Sequence, residues 1–175
     1  MQLPVRQEFG LTRTTCDCPD CTINCHFIPG YLVPGDLSRM WMAAGPRVSF
    51  FQWAKENLLA SPGATVFSAE RGKFNIPTLV PARRTDGACK FLDDDNRCTV
   101  HAASPFGCAY FDSHQSVEMG LRGSALGLNA VIQNSQPNGL YRRTWEMLHE
   151  AGLCAPSPTE CRERMSKALI REVKA

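Results

Sequence analysis

The chain of 175 residues lacks the features that define several large classes of protein. No apolar run approaches the roughly 20 residues that span a bilayer, and positions 1–8 contain no apolar segment of a secretory signal. The formal net charge of +2 is too small to favour nucleic acid or an anionic membrane as a partner. These absences predict a cytoplasmic protein that binds neither a membrane nor nucleic acid.

The motifs of common enzyme families are missing as well. The sequence contains no phosphate-binding glycine loop, no GxSxG elbow, no dinucleotide fingerprint and no glycine loop typical of S-adenosylmethionine binding. It also contains no internal repeat and no low-complexity segment. The sequence therefore identifies no catalytic residue, and it leaves open whether the protein is an enzyme.

Cysteine is the residue that this chain has in excess. Seven of its nine cysteines fall into two short segments, and a histidine lies within the second. Thiolates this close in sequence are ligands of zinc or of iron–sulfur centres far more often than core residues. Disulfides are rare in a reducing compartment. We therefore predict that the following residues bind metal: Cys16, Cys18, Cys21, Cys25, Cys89, Cys98, His101 and Cys108.

The two cysteine segments are expected to share their ligands around one centre. Such a centre would join distant parts of the chain and couple metal binding to folding. Only Cys18 and Cys21 form a CxxC pair, so the two-knuckle pattern of many zinc sites is absent. The surplus of thiolates favours an iron–sulfur cluster of the [4Fe–4S] kind, or a site with more than one metal, and zinc is the alternative.

For several other cysteines and histidines, a structural role is an alternative to metal binding or redox chemistry. His101 either binds the metal or donates a hydrogen bond to a thiolate. His114 is predicted to be a helix-surface residue, and Cys161 is predicted to be a core thiol. A redox role for the pair Cys18 and Cys21 is disfavoured, because such a pair needs its first cysteine at a helix N-terminus after a strand. Neither element is predicted there.

The apolar pattern predicts a small, mainly helical α+β domain. The metal would staple its long cysteine-bearing loops, and a short hairpin would provide the β structure. Residues 1–112 are expected to form the metal-binding region, and residues 113–175 a helical region packed against it. In chain order we predict a loop without regular structure (16–35), helices (37–44, 46–60), strands (65–69, 74–80), turns (86–112) and helices (113–134, 140–151, and one from 158).

The second cysteine segment resembles a known family. Cys89 is followed by Phe91 and Leu92 and an acidic stretch, then by an Arg97-Cys98 pair, and Cys108 stands three residues after a proline. This pattern is similar to the YkgJ-type cysteine-cluster family, also described as CxxCxxCC or zinc- or iron-chelating domains. The resemblance covers about residues 16–112. Three positions depart from the family pattern: His26, His101 and Ser104 replace its usual cysteine, tyrosine and arginine.

The resemblance implies metal binding, and it implies a reaction only through one member. That member is a flagellin lysine methylase thought to carry an iron–sulfur cluster. Three functions follow for this chain: an iron–sulfur protein with a redox role or a protein substrate, a metalloenzyme with an open coordination position, and a zinc-stabilised interaction module without catalysis.

Overall fold

The structure, a computed structural model, describes residues 9–11, 13–14, 16, 18–45, 47–111 and 113–173. A short 3-10 turn, His101–Ala103, precedes the fourth helix. The α+β class with mainly helical content, predicted from the sequence, is confirmed. In chain order the elements are α1 (Pro19–Phe27), α2 (Pro34–Ala43), α3 (Phe50–Asn57), β1 (Leu58–Ser68), β2 (Gly72–Pro81), α4 (Phe106–Ala109), α5 (Val117–Gln133), α6 (Leu140–Glu150) and α7 (Pro158–Val173).

The two strands form an antiparallel hairpin, as the sequence predicts, but both are longer than predicted. The pairing runs from Leu58 opposite Pro81 to Ser68 opposite Gly72, and the register shifts between Ser61 and Ala64. This irregularity is a β-bulge. Pro77 lies opposite the bulge, where a residue without an N–H group disturbs the ladder least.

One apolar core joins the hairpin to the helices. Leu58 and Leu79 of the hairpin are fully buried in it, together with Leu37 of α2, Phe106 of α4 and Leu148 of α6. None of the nine cysteines belongs to this core. No helix in the described part of the chain is both long enough and apolar enough to cross a bilayer.

The prediction that residues 16–35 lack regular structure is wrong. Helix α1 occupies nine of these positions, and Pro19 at its first position is pre-organised for a helix. Asp20 in the first turn adds a favourable charge at the helix N-terminus. No residue of α1 is buried, so the helix carries no apolar stripe that would reveal it in the sequence.

The predicted helix over residues 46–60 is also partly wrong. Pro46 lies outside the described residues. Helix α3 begins after Ser49, whose side chain accepts a hydrogen bond from the N–H of Gln52, and it ends at Asn57. The next residues pair with the end of β2 instead. Apolar residues keep a helical spacing up to Leu58, although Leu58 already belongs to β1. The sequence of this segment does not reveal the strand, because its pairing partner Pro81 is distant in sequence.

The second cysteine segment and the C-terminal helices follow the sequence more closely. Residues 86–112 contain the expected turns, and also the 3-10 turn and α4. The predicted capping box is confirmed: Glu160 accepts from the N–H of Ser157 at 2.7 Å, and Ser157 accepts from the N–H of Glu160 at 3.2 Å. Helix α5 begins at Val117 rather than at residue 113, so residues 113–116 form a loop.

Candidate metal centre

Three cysteines and one histidine form a group that can hold a metal ion. The group consists of Cys16, Cys18, Cys21 and His114, and their ligand atoms all lie within 4.8 Å of one another. A tetrahedral zinc ion with Zn–S bonds of about 2.3 Å holds its sulfurs about 3.8 Å apart. Sulfurs this close therefore fit a single ion after a small inward movement. We call this group the Cys3His site.

Helix α1 and the loop before α5 position the ligands of this site. Cys18 is the N-cap of α1 and Cys21 lies in its first turn, so the chain turns both sulfurs to the same side. The loop supplies His114, whose Nε2 lies 3.3 Å from the sulfur of Cys18. The same loop also contacts Cys21, because the hydroxyl of Ser113 lies 3.1 Å from the sulfur of Cys21. Two segments that are distant in sequence thus meet at the site.

The segment before α1 is held against the region around α4. The N–H of Thr14 donates to the carbonyl of Ala109 at 2.8 Å, and Arg13 donates to the hydroxyl of Ser104 at 2.8 Å. The hydroxyl of Thr14 accepts from the N–H of Cys16 at 3.2 Å. These contacts place Cys16 beside the two cysteines of α1.

The electrostatic environment of the Cys3His site favours the ionised, thiolate form of Cys18. Hydrogen bonds from the N–H of Cys21 and from His114 lower the pKa of Cys18 to about 6, because both stabilise the charged sulfur. The pKa of Cys16 moves the other way. The backbone of Cys18 lowers it, but hydrogen bonds with the side chains of Cys21 and Cys18 raise it to about 11. A cation bound among these ligands would stabilise the remaining thiolates.

The other four clustered cysteines lie together at a second place, which we call the four-cysteine group. Its members are Cys25, Cys89, Cys98 and Cys108, and all are free thiols. The N–H of Cys89 donates to the carbonyl of Cys25 at 2.7 Å, and Cys98 forms a β-bridge with Leu92. Cys25 also packs against the small apolar cluster that contains Cys89 and Leu92. The second half of α1 and the middle of the chain therefore meet here.

A close crossing of two backbone segments places Cys108 in the four-cysteine group. The N–H of Gly107 donates to the carbonyl of Tyr31 at 2.9 Å. A Cβ atom on Gly30 would lie 2.2 Å from the carbonyl carbon of Gly107, so a side chain would push the segments apart. The sulfur of Cys108 lies 3.9 Å from the carbonyl oxygen of Gly30.

Burial raises the pKa of every thiol in the four-cysteine group. Burial and the neighbouring Cys98 raise the pKa of Cys25 to about 11. Burial also raises the pKa of Cys89 to about 12; a hydrogen bond from the backbone of Phe91 lowers this pKa, and the neighbouring Cys25 and Cys98 raise it further. The pKa of Cys108 is well above its usual range because of burial and of Cys89, Cys25 and Cys98. These mutual effects mean that the four sulfurs are electrostatic neighbours.

A cavity of about 1050 Å³ connects the two places. Its walls include Cys16 and Cys21 from the Cys3His site, all members of the four-cysteine group, and His101. His101 is exposed, and its N–H donates to the carbonyl of Cys98 at 3.1 Å. The sequence thus identified cysteines of both places, and His101 lines the cavity that connects them.

His114 is a candidate ligand that is not among those predicted from the sequence. The sequence predicts a helix-surface position for it, but it lies in the loop before α5 and beside Cys18. The chain contains only four histidines, which limits the candidates for a fourth ligand but does not distinguish His114 from the other three. The expected absence of a helix beside Cys18 is wrong too, since Cys18 caps α1. Cys161 is buried, as predicted, and Cys154 is exposed.

Comparisons of the chain with protein-family models, with curated proteins and with solved structures found no match. The resemblance to the YkgJ-type family therefore stays a prediction. The case for a metal rests on the two cysteine groups themselves.

Proposed function

We propose that this protein is a zinc protein in which Cys16, Cys18, Cys21 and His114 bind one Zn²⁺ ion. The observation that carries the proposal is the approach of all four ligand atoms to within 4.8 Å of one another. Sites with three cysteines and one histidine are a common kind of structural zinc site. The ion would join the N-terminus of α1 to the loop before α5, and its binding would contribute to the stability of the fold.

The ligand set supports a structural role for this ion. Four protein ligands fill the coordination sphere of tetrahedral zinc, so no position stays open for water or substrate. The redox and protein-modifying roles considered from the sequence thus receive no support at the Cys3His site. An iron–sulfur cluster fits poorly here, because a cubane binds each thiolate to a different iron and so holds the sulfurs farther apart than one ion does.

Zinc analysis of single-residue variants tests the proposal. We expect about one zinc ion per chain at this site in protein purified without chelators. Cys18→Ser and His114→Ala each remove a ligand, so zinc affinity in a competition with a chromophoric chelator should fall by more than roughly 100-fold, the upper end of what loss of a supporting hydrogen bond costs. Replacement by Co²⁺ should give the intense visible bands of tetrahedral thiolate-bound cobalt.

The matched control is His149→Ala. His149 is exposed and stacks on Trp145 with ring centroids 4.8 Å apart, so its loss should leave the zinc affinity unchanged. Unchanged affinity in both Cys18→Ser and His114→Ala would refute the proposal, as would a folded wild-type protein that binds no zinc.

A further inference from the structure

The cavity that connects the two cysteine places extends to the hairpin and to α7, and its wall contains basic side chains without acidic ones. The basic residues on the wall are Lys73, Arg83, Arg97 and Arg162. The chain has 17 aspartates and glutamates, and none of them is among the described residues that line the cavity. A concave wall with cations of one sign concentrates ions of the opposite sign. The composition of the wall is therefore suited to an anionic ligand.

Three of these four cations are not neutralised by a carboxylate. Arg97 pairs with Asp95 at 2.5 Å, so its charge is compensated. None of the ion pairs within the described part of the chain includes Lys73, Arg83 or Arg162. Basic side chains on the wall of a cavity that have no acidic partner can bind the charged group of a ligand without first breaking an ion pair.

Arg83 is the half-buried one of these cations, and its hydrogen bonds are incomplete. Its guanidinium donates to the carbonyl of Gly87 at 3.2 Å and to the sulfur of Cys161 at 3.0 Å. A guanidinium has five N–H groups. The Nε atom is the only buried side-chain nitrogen or oxygen in the described residues without a hydrogen-bond partner, and such groups are rarely left unpaired. An oxyanion suits this side chain, because it accepts two guanidinium N–H groups at once and supplies a countercharge.

Helix α7 brings a second guanidinium to the same end of the cavity. Arg162 directly follows Cys161, the residue whose sulfur accepts from Arg83, and Arg162 also lines the cavity. Glu160 does not compensate these charges, because its carboxylate accepts from the N–H of Ser157 at 2.7 Å in the capping box of α7. The hydroxyl of Ser157, on the cavity wall, provides a further polar group at this end.

We propose that this cavity binds a small organic anion, whose phosphate or carboxylate group is held by Arg83 and Arg162. The volume of about 1050 Å³ far exceeds that of one oxyanion and lies at the upper end of the roughly 300–1,000 Å³ of small-molecule sites. The rest of the ligand would lie along the hairpin, where Thr65, Asn75 and Thr78 line the cavity. These side chains favour a polar, hydroxyl-bearing body. The proposal does not depend on the zinc ion.

A nitrogen-15 NMR titration of the full chain as purified tests this assignment. The probes are inorganic phosphate, succinate, glucose 6-phosphate and uncharged glucose. The Nε–H signal of Arg83, identified by its absence from the spectrum of Arg83→Lys, should move with glucose 6-phosphate and reach saturation. Glucose should bind at least tenfold more weakly, because it lacks the charged group. Comparison of phosphate with succinate shows which oxyanion the cavity prefers.

Two variants and one control locate the binding site. Arg162→Gln removes an exposed cation and should weaken glucose 6-phosphate binding at least tenfold without unfolding the chain. Arg83→Lys keeps the charge but loses the forked donors, so we expect a loss of similar size. Arg142→Gln is the matched control, because Arg142 is exposed, lies outside the cavity wall and pairs with Glu146 at 2.7 Å. It should leave the affinity unchanged.

Three results would overturn the assignment. The first is the absence of a saturable change in the spectrum with any of the three anions. The second is equal affinity for glucose and glucose 6-phosphate, because it excludes recognition of the charge. The third is an equal loss of affinity in Arg142→Gln and Arg162→Gln, which identifies a general effect of net charge. None of these results bears on the zinc proposal, which rests on other residues and on zinc content.

Discussion

A single buried carboxylate joins the start of α2 to the start of α4. Asp36 is fully buried at the third position of α2. Its Oδ2 atom accepts from the N–H of Val33 at 2.8 Å and from the N–H of Phe106 at 2.9 Å. The first bond caps α2, and the second fixes the start of α4, two residues before Cys108. One side chain thus stabilises a helix terminus and orients a predicted metal ligand.

Replacement of Asp36 by alanine should lower the free energy of unfolding by about 3 kcal/mol, because a hydrogen bond to a charged group contributes roughly 1.5–3 kcal/mol and two buried N–H groups lose their acceptor. Asp36→Asn keeps an acceptor oxygen and should cost clearly less. Urea titration followed by circular dichroism measures both values. Equal effects of the two variants would show that volume or charge, and not the two N–H groups, sets the stability.

His114 shows where prediction of the site from sequence stops. The cysteines identify themselves by their number and spacing, so most predicted ligands could be named without a structure. His114 and Cys18 are 96 positions apart, and nothing near His114 in the sequence marks it as a ligand. The division of the cysteines between two places depends on α1 for the same reason: the helix turns Cys18 and Cys21 toward one loop and Cys25 toward another.

At the scale of the elements, the bulge in β1 depends on one glycine. Gly63 has φ of 77°, in the left-handed region. A Cβ atom there would lie 1.8 Å from the carbonyl oxygen of Ile76 on the partner strand. Gly72 at the hairpin turn has a similar φ of 66°, but a Cβ atom there would meet nothing within 4 Å. Substitutions at the two glycines can therefore distinguish the energetic cost of backbone strain from that of a steric clash.

Gly63→Ala should lower the free energy of unfolding by about 3 kcal/mol or more, the sum of about 1–2 kcal/mol for the left-handed backbone and a similar amount for displaced neighbours. Gly72→Ala should cost only the backbone part. Thermal and urea unfolding of the two variants provide the comparison. If both variants lose the same stability, the bulge does not pack as described.

The elements that the sequence predicted well are those whose signals are local. Helices α6 and α7 have caps and apolar faces within their own segments, and the hairpin has a short polar turn between alternating residues. The elements that it predicted poorly depend on distant partners. Leu58 to Ala60 continue a helical pattern but pair with Leu79 to Pro81. Helix α1 buries no residue, and it contacts α7 and the second cysteine segment, both of which are distant from it in sequence.

At the scale of the whole molecule, the apolar core and the proposed zinc site would be distinct sources of stability. The main core consists of residues between Leu32 and Leu148, and it contains neither a cysteine nor a residue of α1. Helix α1 is held by hydrogen bonds, by contacts with α7 and by the predicted metal ligands, whereas Phe9 and Leu11 of the segment before it pack against the core. Regions with few buried apolar contacts open locally at a lower free energy than the core does. Loss of metal should thus act on one part of the molecule first.

Hydrogen exchange of metal-free and metal-loaded protein tests this division. Without metal, amides of α1 and of the loop 113–116 should exchange at least tenfold faster, because the ligands that join these segments are no longer tied together. Amides of β1, β2 and α6 should keep their protection, since Tyr141 and Leu148 of α6 pack against the hairpin whether metal is present or not. Mass spectrometry of peptic peptides resolves these segments. Uniformly faster exchange would mean that the metal supports the entire fold, and unchanged exchange in α1 would mean that the helix is stable without its ligands.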